Sequence, residues 1–309
     1  MPYLKIYSNP FNMSMYIGEL SALLASVIWA TGATFFTLAV EHIGPYRLNF
    51  IRLNLALFML FIVLVFTKGS FFPDTATFQN VLWLSISGVL GLALGDLCYF
   101  GALRYLGVRI TMLFFTLAPP AAAFSEWLFL RDAISAGAFA GMGIVIAGII
   151  TVITGKRENN ESRSYPLKGI FLAITASLLQ GLGLTISKSG MKGLDALDST
   201  YLRMLSASLS FSLFYLLFRR HLPLYDNKRG RIVYVFSFFG AFFGPFLGVI
   251  LSMNSIRYTH SGIAQTLLSL TPVTIIPFSV FVFGERITLR SVSGTLLALA
   301  GVFVLIFLK

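Results

Sequence analysis

Long runs of apolar residues dominate this chain and limit what it can fold into. Hydrophobic residues make up 57% of its 309 residues and charged residues only 11%, whereas soluble proteins average about 25% charged residues. A run of roughly 20 apolar residues is long enough to cross a bilayer as a helix. The runs are continuous and lack the alternating pattern of membrane barrel strands. The sequence therefore predicts an all-α integral membrane protein.

Ten apolar runs are separated by short polar links, so the sequence predicts ten transmembrane helices. The predicted spans are 17–40, 46–66, 79–103, 109–130, 134–154, 167–190, 198–218, 232–256, 261–283 and 288–308. The links leave no room for a soluble domain. The longest polar link, Gly155–Pro166, divides the runs into two sets of five.

The two sets carry similar residues in the same order. The series Ser87, Gly91 and Gly95 in the first half recurs as Gly240, Gly244 and Gly248 in the second. Other matched pairs are Gly32 with Gly183, Arg52 with Arg203, Pro119 with Pro272, Asp132 with Glu285, Gly141 with Gly294 and Gly148 with Gly301. This period, about half of the chain, is too long for a solenoid repeat.

The odd number of spans in each half sets the relation between the halves. After five crossings the second half must enter the membrane from the opposite side, so the sequence predicts two inverted five-helix repeats. Their predicted bounds are 17–154 and 167–308, joined by a linker at 155–166. Many secondary transporters are built on inverted repeats of this kind.

The net charge of +11 is carried mostly by basic residues in the links. In a multi-span chain this pattern indicates orientation and contact with lipid headgroups, and no nucleic-acid partner is expected. Most of the Lys and Arg residues fall in odd-numbered links, which favours termini on the outside. The single cysteine, Cys98, excludes an intramolecular disulfide.

Short motifs in a fixed order resemble those of a known family. The opening run, ALLASVIWATGATFF, combines small residues with Trp29, and Pro45 is followed seven residues later by Arg52. A proline, an apolar run and a Gly-Glu pair occupy Pro272–Glu285, and each half closes on a glycine-rich run. Together they resemble the ten-helix EamA-type members of the drug/metabolite transporter superfamily, which contain two EamA repeats. The first half departs from this pattern, with Arg131-Asp132 in place of Gly-Glu.

The resemblance implies a function and a position for a binding cavity. Members usually export or exchange small metabolites, and the cavity is expected between the repeats, lined by spans 3, 4, 8 and 9 with contributions from 1 and 6. It also implies cytoplasmic termini, which disagrees with the distribution of charge in the links. The orientation therefore stays open.

Asp96 is the candidate binding residue that the sequence singles out most sharply. It lies about 12 Å in depth from Arg104 at the end of its span, close to the midplane of the bilayer. A carboxylate there costs at least about 2.5 kcal/mol, so such residues usually face a cavity or a partner. Asp96 is thus a substrate ligand or a proton carrier, with Tyr99 one turn away, or a structural carboxylate paired with Arg52 or Lys188.

Other polar residues within the spans are further candidates for substrate binding. Trp29 and Gln180 occupy equivalent positions and could form two walls of a cavity or pack in the core. Glu126 either lines a cleft or reaches the membrane interface. The remaining candidates are Asn254 and Gln265.

Two matched groups have structural interpretations. Gly91, Gly95, Gly244 and Gly248 form stripes of small residues that let helices approach closely. Arg52 and its mate Arg203 are interpreted as headgroup anchors or as partners across the repeat interface.

The sequence gives no sign of an enzyme. The histidines His42, His221 and His260 fall in predicted links, and no His or Cys cluster could hold a metal, so no metal or cofactor is expected. We predict a multi-pass protein of the cell membrane that acts as an exporter or exchanger of a small organic metabolite or drug. Its expected partners are this solute and the lipid bilayer, protons are a candidate coupling ion, and the protein is a monomer or homodimer. The alternatives are a passive channel and a non-transporting membrane scaffold or enzyme.

Overall fold

The fold is helical throughout the part of the chain that the structure, a computed structural model, describes: residues 17–130, 135–154, 165–222, 230–258 and 267–307. The α-helices are α1 (Ile17–Lys68), α2 (Phe78–Ser87), α3 (Asp96–Phe114), α4 (Ala118–Leu130), α5 (Ala136–Ile153), α6 (Leu167–Gly190), α7 (Ala196–Phe218), α8 (Ile232–Ala241), α9 (Val249–Tyr258), α10 (Thr271–Phe283) and α11 (Leu289–Phe307). Within these ranges seven helical stretches are long and apolar enough to cross a membrane, and α10 is a shorter apolar helix. Most of the predicted linker 155–166 lies outside the described residues.

Glycines break the two longest helical stretches. The helix α1 has 52 residues and would extend about 78 Å if it were straight, more than twice the roughly 30 Å hydrocarbon core. Gly44 in α1 (φ 73°, ψ 167°) and Gly107 in α3 (φ 76°, ψ 172°) adopt backbone conformations that glycine reaches most readily. Both breaks fall in predicted links. The link is shorter than predicted, and His42, which was assigned to it, lies in the helical turn that precedes the break at Gly44.

Two π-helical segments occupy the centres of spans that the sequence predicts as plain helices. Gly88–Gly95 connects α2 to α3, and Phe242–Gly248 connects α8 to α9. They occupy equivalent positions in the two halves and contain all four stripe glycines. Apolar composition is the same in α- and π-helices, so the sequence pattern could not reveal them. Such segments are frequent at functional sites.

The ninth predicted span, 261–283, contains the helix α10. This helix starts at Thr271, and Pro272 lies in the first turn, where its missing N–H costs no helical hydrogen bond. The predicted residues 261–266 lie outside the described part of the chain. At the other end Gly284 (φ 64°) closes α10 in the left-handed conformation, and Glu285 follows directly.

Glycines of α5 and α11 pack reciprocally across the two halves. A Cβ atom on Gly148 would lie 2.6 Å from the carbonyl oxygen of Gly294, and one on Gly141 would lie 2.8 Å from that of Gly301. Gly141 is the sequence mate of Gly294, and Gly148 is the mate of Gly301. The Gly148–Gly294 contact therefore corresponds by sequence to the Gly141–Gly301 contact. In both contacts the backbones of the two helices pack directly against each other.

Gly148→Ala should lower the thermal unfolding midpoint of the purified protein. The new methyl group would lie 2.5 Å from the backbone nitrogen of Ala298, and overpacking of this kind costs about 1–3 kcal/mol. Gly143→Ala on the same helix is the matched control, because nothing lies within 4 Å of its Cβ position and alanine is the better helix former. Equal midpoints for the two variants would contradict the close approach of α5 and α11.

The buried core and the outer surface divide as expected for a protein in lipid. Phe36, Tyr99, Phe100, Val233 and Ile275 belong to one buried cluster that joins α1, α3, α8 and α10. Large apolar side chains are also exposed on the outside, among them Phe66, Phe281 and Leu289. Exposed apolar surface on this scale marks a membrane or protein contact.

Candidate functional site

The first helix of each half packs on the π-helical segment of the other half. In α1, a Cβ atom on Gly32 would lie 2.7 Å from the backbone nitrogen of Gly244. In α6, a Cβ atom on Gly183 would lie 3.2 Å from the Cα atom of Gly91. Gly32 and Gly183 are sequence mates, and so are Gly91 and Gly244. The molecule therefore has two matched interfaces between its halves.

One of these interfaces holds a buried carboxylate. Asp96 begins α3 directly after the first π-helical segment and is only 5% exposed. Its Oδ2 atom accepts a hydrogen bond from Nη1 of Arg52 in a salt bridge, and its Oδ1 atom accepts one from Nε2 of Gln180 at 2.7 Å. Both carboxylate oxygens thus have partners. The sequence left open pairing with Arg52 or Lys188, and the structure shows the Arg52 pair.

Arg52 lies in the interior, not at the headgroups. It is 5% exposed, and its guanidinium carbon lies 5.8 Å from the ring centre of Phe100 and 6.0 Å from that of Phe36. Cations within about 6 Å of a ring face are attracted to it. Its salt-bridge partner belongs to its own half of the chain, so Arg52 does not form the predicted pair across the repeats. Gln180 makes the connection across the repeats.

Arg203, the mate of Arg52, also reaches this interface. The Cβ position of Gly91 is 3.5 Å from Nη2 of Arg203 and 3.6 Å from Oε1 of Gln180. The Nε atom of Arg203 is buried without a hydrogen-bond partner, and its charge interacts with that of Asp96. We refer to Arg52, Asp96, Gln180 and Arg203 as the charged cluster. It contains two positive charges and one negative charge, which leaves one net positive charge.

Backbone carbonyls of the first π-helical segment accept side-chain donors from neighbouring helices. Nδ2 of Asn49 donates to the carbonyl of Ala93 at 2.9 Å, and Nε2 of Gln180 donates to that of Gly91 at 3.3 Å. Ser87 donates in turn to the carbonyl of Gly183 at 2.6 Å. Sequence reasoning missed Asn49 and Ser87 as partners, because only the tertiary fold brings them to these carbonyls.

Trp29 lies at the other matched interface, apart from the charged cluster. A Cβ atom on Gly248 would lie 2.7 Å from its indole ring, and its Nε1 atom donates to Ser252 at 3.4 Å. Gly244 packs against Phe36 in the same region, with its Cβ position 3.2 Å from the ring. Trp29 and Gln180 therefore hold equivalent places but face different partners.

The remaining predicted site residues are only partly described. Tyr99 is 7% exposed and packs against Phe115, with ring centres 4.9 Å apart. Glu126 lies on α4 and Asn254 on α9, but their side chains are outside the described part of the structure. Gln265 lies outside the described residues. The structure thus brings Asp96, Gln180 and Gly91 together.

Two further groups of ion pairs join the halves. Lys68 at the end of α1 lies 2.5 Å from Asp195 and 2.6 Å from Asp198. Nε of Arg109 lies 2.7 Å from Oε2 of Glu285, and its Nη1 atom donates to Ser291. The sequence treated these basic residues only as part of the charge of the links.

Asp195, the residue directly before α7, has a lowered pKa. Burial favours the neutral acid, but the backbone N–H of Asp198 and the Lys68 ammonium group stabilise the carboxylate more strongly. The pKa of Asp195 therefore lies below its ordinary value, and the ion pair with Lys68 persists at neutral pH.

The surface also carries a cavity that is separate from the charged cluster. Its volume is about 590 Å³, and it lies at the end of α10, lined by Val280, Gly284, Glu285, Arg286 and Ile287. No member of the charged cluster lines it. Among the described residues no group of three or more His, Cys, Asp or Glu side chains could hold a metal ion.

Several apolar helices long enough to cross a bilayer, duplicated packing and charges buried between the halves define a multi-pass membrane protein. The sequence matches the EamA-like transporter family twice, at residues 16–154 and 167–307. The chain therefore belongs to this family, and it is a membrane transporter of the cell membrane.

Two relatives carry the same general description. An uncharacterized transporter of Archaeoglobus fulgidus is 24% identical over 93% of this chain and 97% of its own length. An uncharacterized transporter of Clostridium kluyveri is 28% identical over 47% of this chain, and the match spans about half (46%) of that relative. One solved crystal structure superimposes with a TM-score of 0.62 at 14% identity, covering 93% of this chain and 95% of the other. That likeness concerns the fold alone.

Proposed function

We propose that this protein is a secondary transporter that exports or exchanges a small organic solute by alternating access. It crosses the membrane with ten helices arranged as two inverted five-helix repeats, 17–154 and 167–308. The charged cluster lies on the path of the solute. Binding near the midplane at the interface of two repeats is the usual plan of such transporters.

The reciprocal glycine contacts carry this proposal. A twofold relation makes residue i of one unit contact residue j of the other and also makes j contact i. Gly141 with Gly301 and Gly148 with Gly294 satisfy this pattern, and so do Gly32 with Gly244 and Gly91 with Gly183. Such smooth glycine surfaces let one half move against the other with little steric cost.

The ion pairs between the halves support a mechanism in which the two ends open in turn. In a ten-helix topology the links that hold Lys68 and Asp195 are on one side of the membrane, and those that hold Arg109 and Glu285 are on the other. Each end of the path would then be closed by an ion pair between the repeats. Opening an end would break its ion pair, whose groups are mostly partly buried: the side chains of Lys68, Arg109 and Glu285 are 30%, 14% and 27% exposed.

The class of transport is tested by counterflow into proteoliposomes that contain the purified protein. Vesicles loaded with an unlabelled solute should accumulate the same labelled solute transiently, and uptake should saturate with its concentration. Empty liposomes are the control. Flux through a passive channel would neither saturate nor respond to the solute inside, and a scaffold would give no flux for any member of a broad panel.

A further inference from the structure

We infer that the charged cluster takes an anionic group, a carboxylate or phosphate of the solute, between Arg203, Gln180 and Gly91. This inference rests on the proposed transport function and names its substrate class. The substrate charge is then opposite to the one expected if Asp96 itself bound the substrate, because a free carboxylate would select a cation.

Asp96 is not free to hold a cationic substrate. Oδ2 is bound by Arg52 and Oδ1 by Gln180, and the residue is 5% exposed. A substrate ammonium group could reach the carboxylate only by displacing one of these donors. The role that its contacts support is to neutralise Arg52 and to orient the Gln180 amide.

Arg203 supplies the charge that nothing described in the cluster neutralises. Its Nε atom is buried without a partner, and its guanidinium makes no hydrogen bond to the described residues. Arg203 as a whole is half-buried, so part of its side chain remains within reach of a small solute. An uncompensated buried charge is costly, and an anionic ligand would remove that cost.

A space of about methyl size lies beside the guanidinium of Arg203 at Gly91. A Cβ atom at Gly91 would make only ordinary contacts, 3.5 Å to Nη2 of Arg203 and 3.6 Å to Oε1 of Gln180. Glycine therefore leaves at least the volume of a methyl group open beside the guanidinium. The planar fork of arginine matches carboxylate and phosphate oxygens and can donate two parallel hydrogen bonds to them.

The experiment compares ligands that differ in charge but not in size. Thermal shifts of the purified protein are measured with phenylacetate, phenylacetamide and phenethylamine, with isobutyrate, isobutyramide and isobutylamine, and with inorganic phosphate. We expect stabilisation by an anion of this panel and none by its neutral or cationic counterparts. Comparing the thermal shift with phosphate to the shifts with phenylacetate and isobutyrate shows whether the site prefers a phosphate or a carboxylate.

Variants then assign the effect to Arg203. Arg203→Gln should weaken anion binding by roughly 10- to 100-fold, and Arg203→Lys should retain part of it because the charge remains. Arg47→Gln is the matched control, since this exposed arginine donates instead to the Tyr234 hydroxyl. If Arg203→Gln does not fold, the comparison rests on the wild-type protein and Arg203→Lys.

The outcomes separate the anion site from the transport function. Stabilisation by the amines, no shift with any of the anions, or an anion effect unchanged in Arg203→Gln would overturn the anion site. Counterflow of a cation that survives Arg203→Gln would also overturn it while leaving transport intact. Anion binding that depends on Arg203, without counterflow of any solute, would support the site and contradict the transport proposal.

Discussion

Asp96→Asn should destabilise the purified protein strongly, because it leaves Arg52 buried without a counter-charge. Arg52 and Asp96 are each 5% exposed and form a salt bridge. Removing one member of a buried pair typically costs about 3–5 kcal/mol. The measurement is the free energy of unfolding or the thermal midpoint in one detergent. Asp74→Asn, in an exposed loop, should stay within about 0.5 kcal/mol of the wild type.

The double variant Arg52→Gln with Asp96→Asn tests the pairing directly. Replacing both charges removes the unpaired cation, so the double variant should recover most of the stability lost in Asp96→Asn. If the stability loss of the double variant equals the sum of the losses in Arg52→Gln and Asp96→Asn, the two groups are not coupled. A fully stable Asp96→Asn that has lost transport of a cation would instead make Asp96 a substrate ligand. Retained exchange without its dependence on a pH gradient would make Asp96 the proton carrier.

Gly91→Leu should reduce transport by about tenfold or more, which corresponds to about 1.4 kcal/mol. The isobutyl group would extend from a Cβ position only 3.5 Å from Nη2 of Arg203 and 3.6 Å from Oε1 of Gln180. It would fill the space that we assign to the solute and push apart the π-helical segment and α6, which are so close that a Cβ atom on Gly183 would lie 3.2 Å from the Cα atom of Gly91. The measurement is the initial counterflow rate per mole of folded protein, with folding checked by size-exclusion chromatography.

Two comparisons separate loss of space from general damage at Gly91. Gly91→Ala should reduce transport less than Gly91→Leu, because its single methyl group takes up only part of this space and makes ordinary contacts. Gly143→Leu adds the same side chain to an exposed face of α5 with no neighbour within 4 Å, so its transport should match the wild type. Wild-type rates for Gly91→Leu would show that the solute does not use this space.

Apolar runs and duplicated motifs were sufficient to predict the helices and the family. The predicted spans 109–130 and 167–190 agree closely with the helical parts that the structure describes. The links near Gly44 and Gly107 were also placed correctly, because each combines glycine with charged residues at the end of an apolar run. These features depend on local composition, which a sequence displays directly.

The partners within the site depend on tertiary structure and were only partly predictable. Asp96 was conspicuous because a carboxylate is rare at that depth, and its partner was narrowed to Arg52 or Lys188. Gln180 was named as a wall of a cavity, but its bond to Asp96 joins residues far apart in the chain. Arg203 was interpreted as a headgroup anchor or as a partner across the repeat interface, and the structure places it at that interface, near Asp96 and Gly91 of the first half. No local signal distinguishes a buried arginine from an anchoring one.

The inequality of the two matched interfaces has a thermodynamic consequence. In an inverted repeat with identical halves, exchanging their conformations would yield the same structure facing the other side of the membrane, with the same free energy. Here Gln180 and Asp96 correspond to Trp29 and Val249, so the ion pair and amide bonds of one interface have no counterpart in the other. The two facing states of the proposed transport cycle should therefore differ in free energy. A free-energy difference of about 1.4 kcal/mol changes the ratio of the two populations tenfold. The protein without solute should therefore open mainly to one side of the membrane.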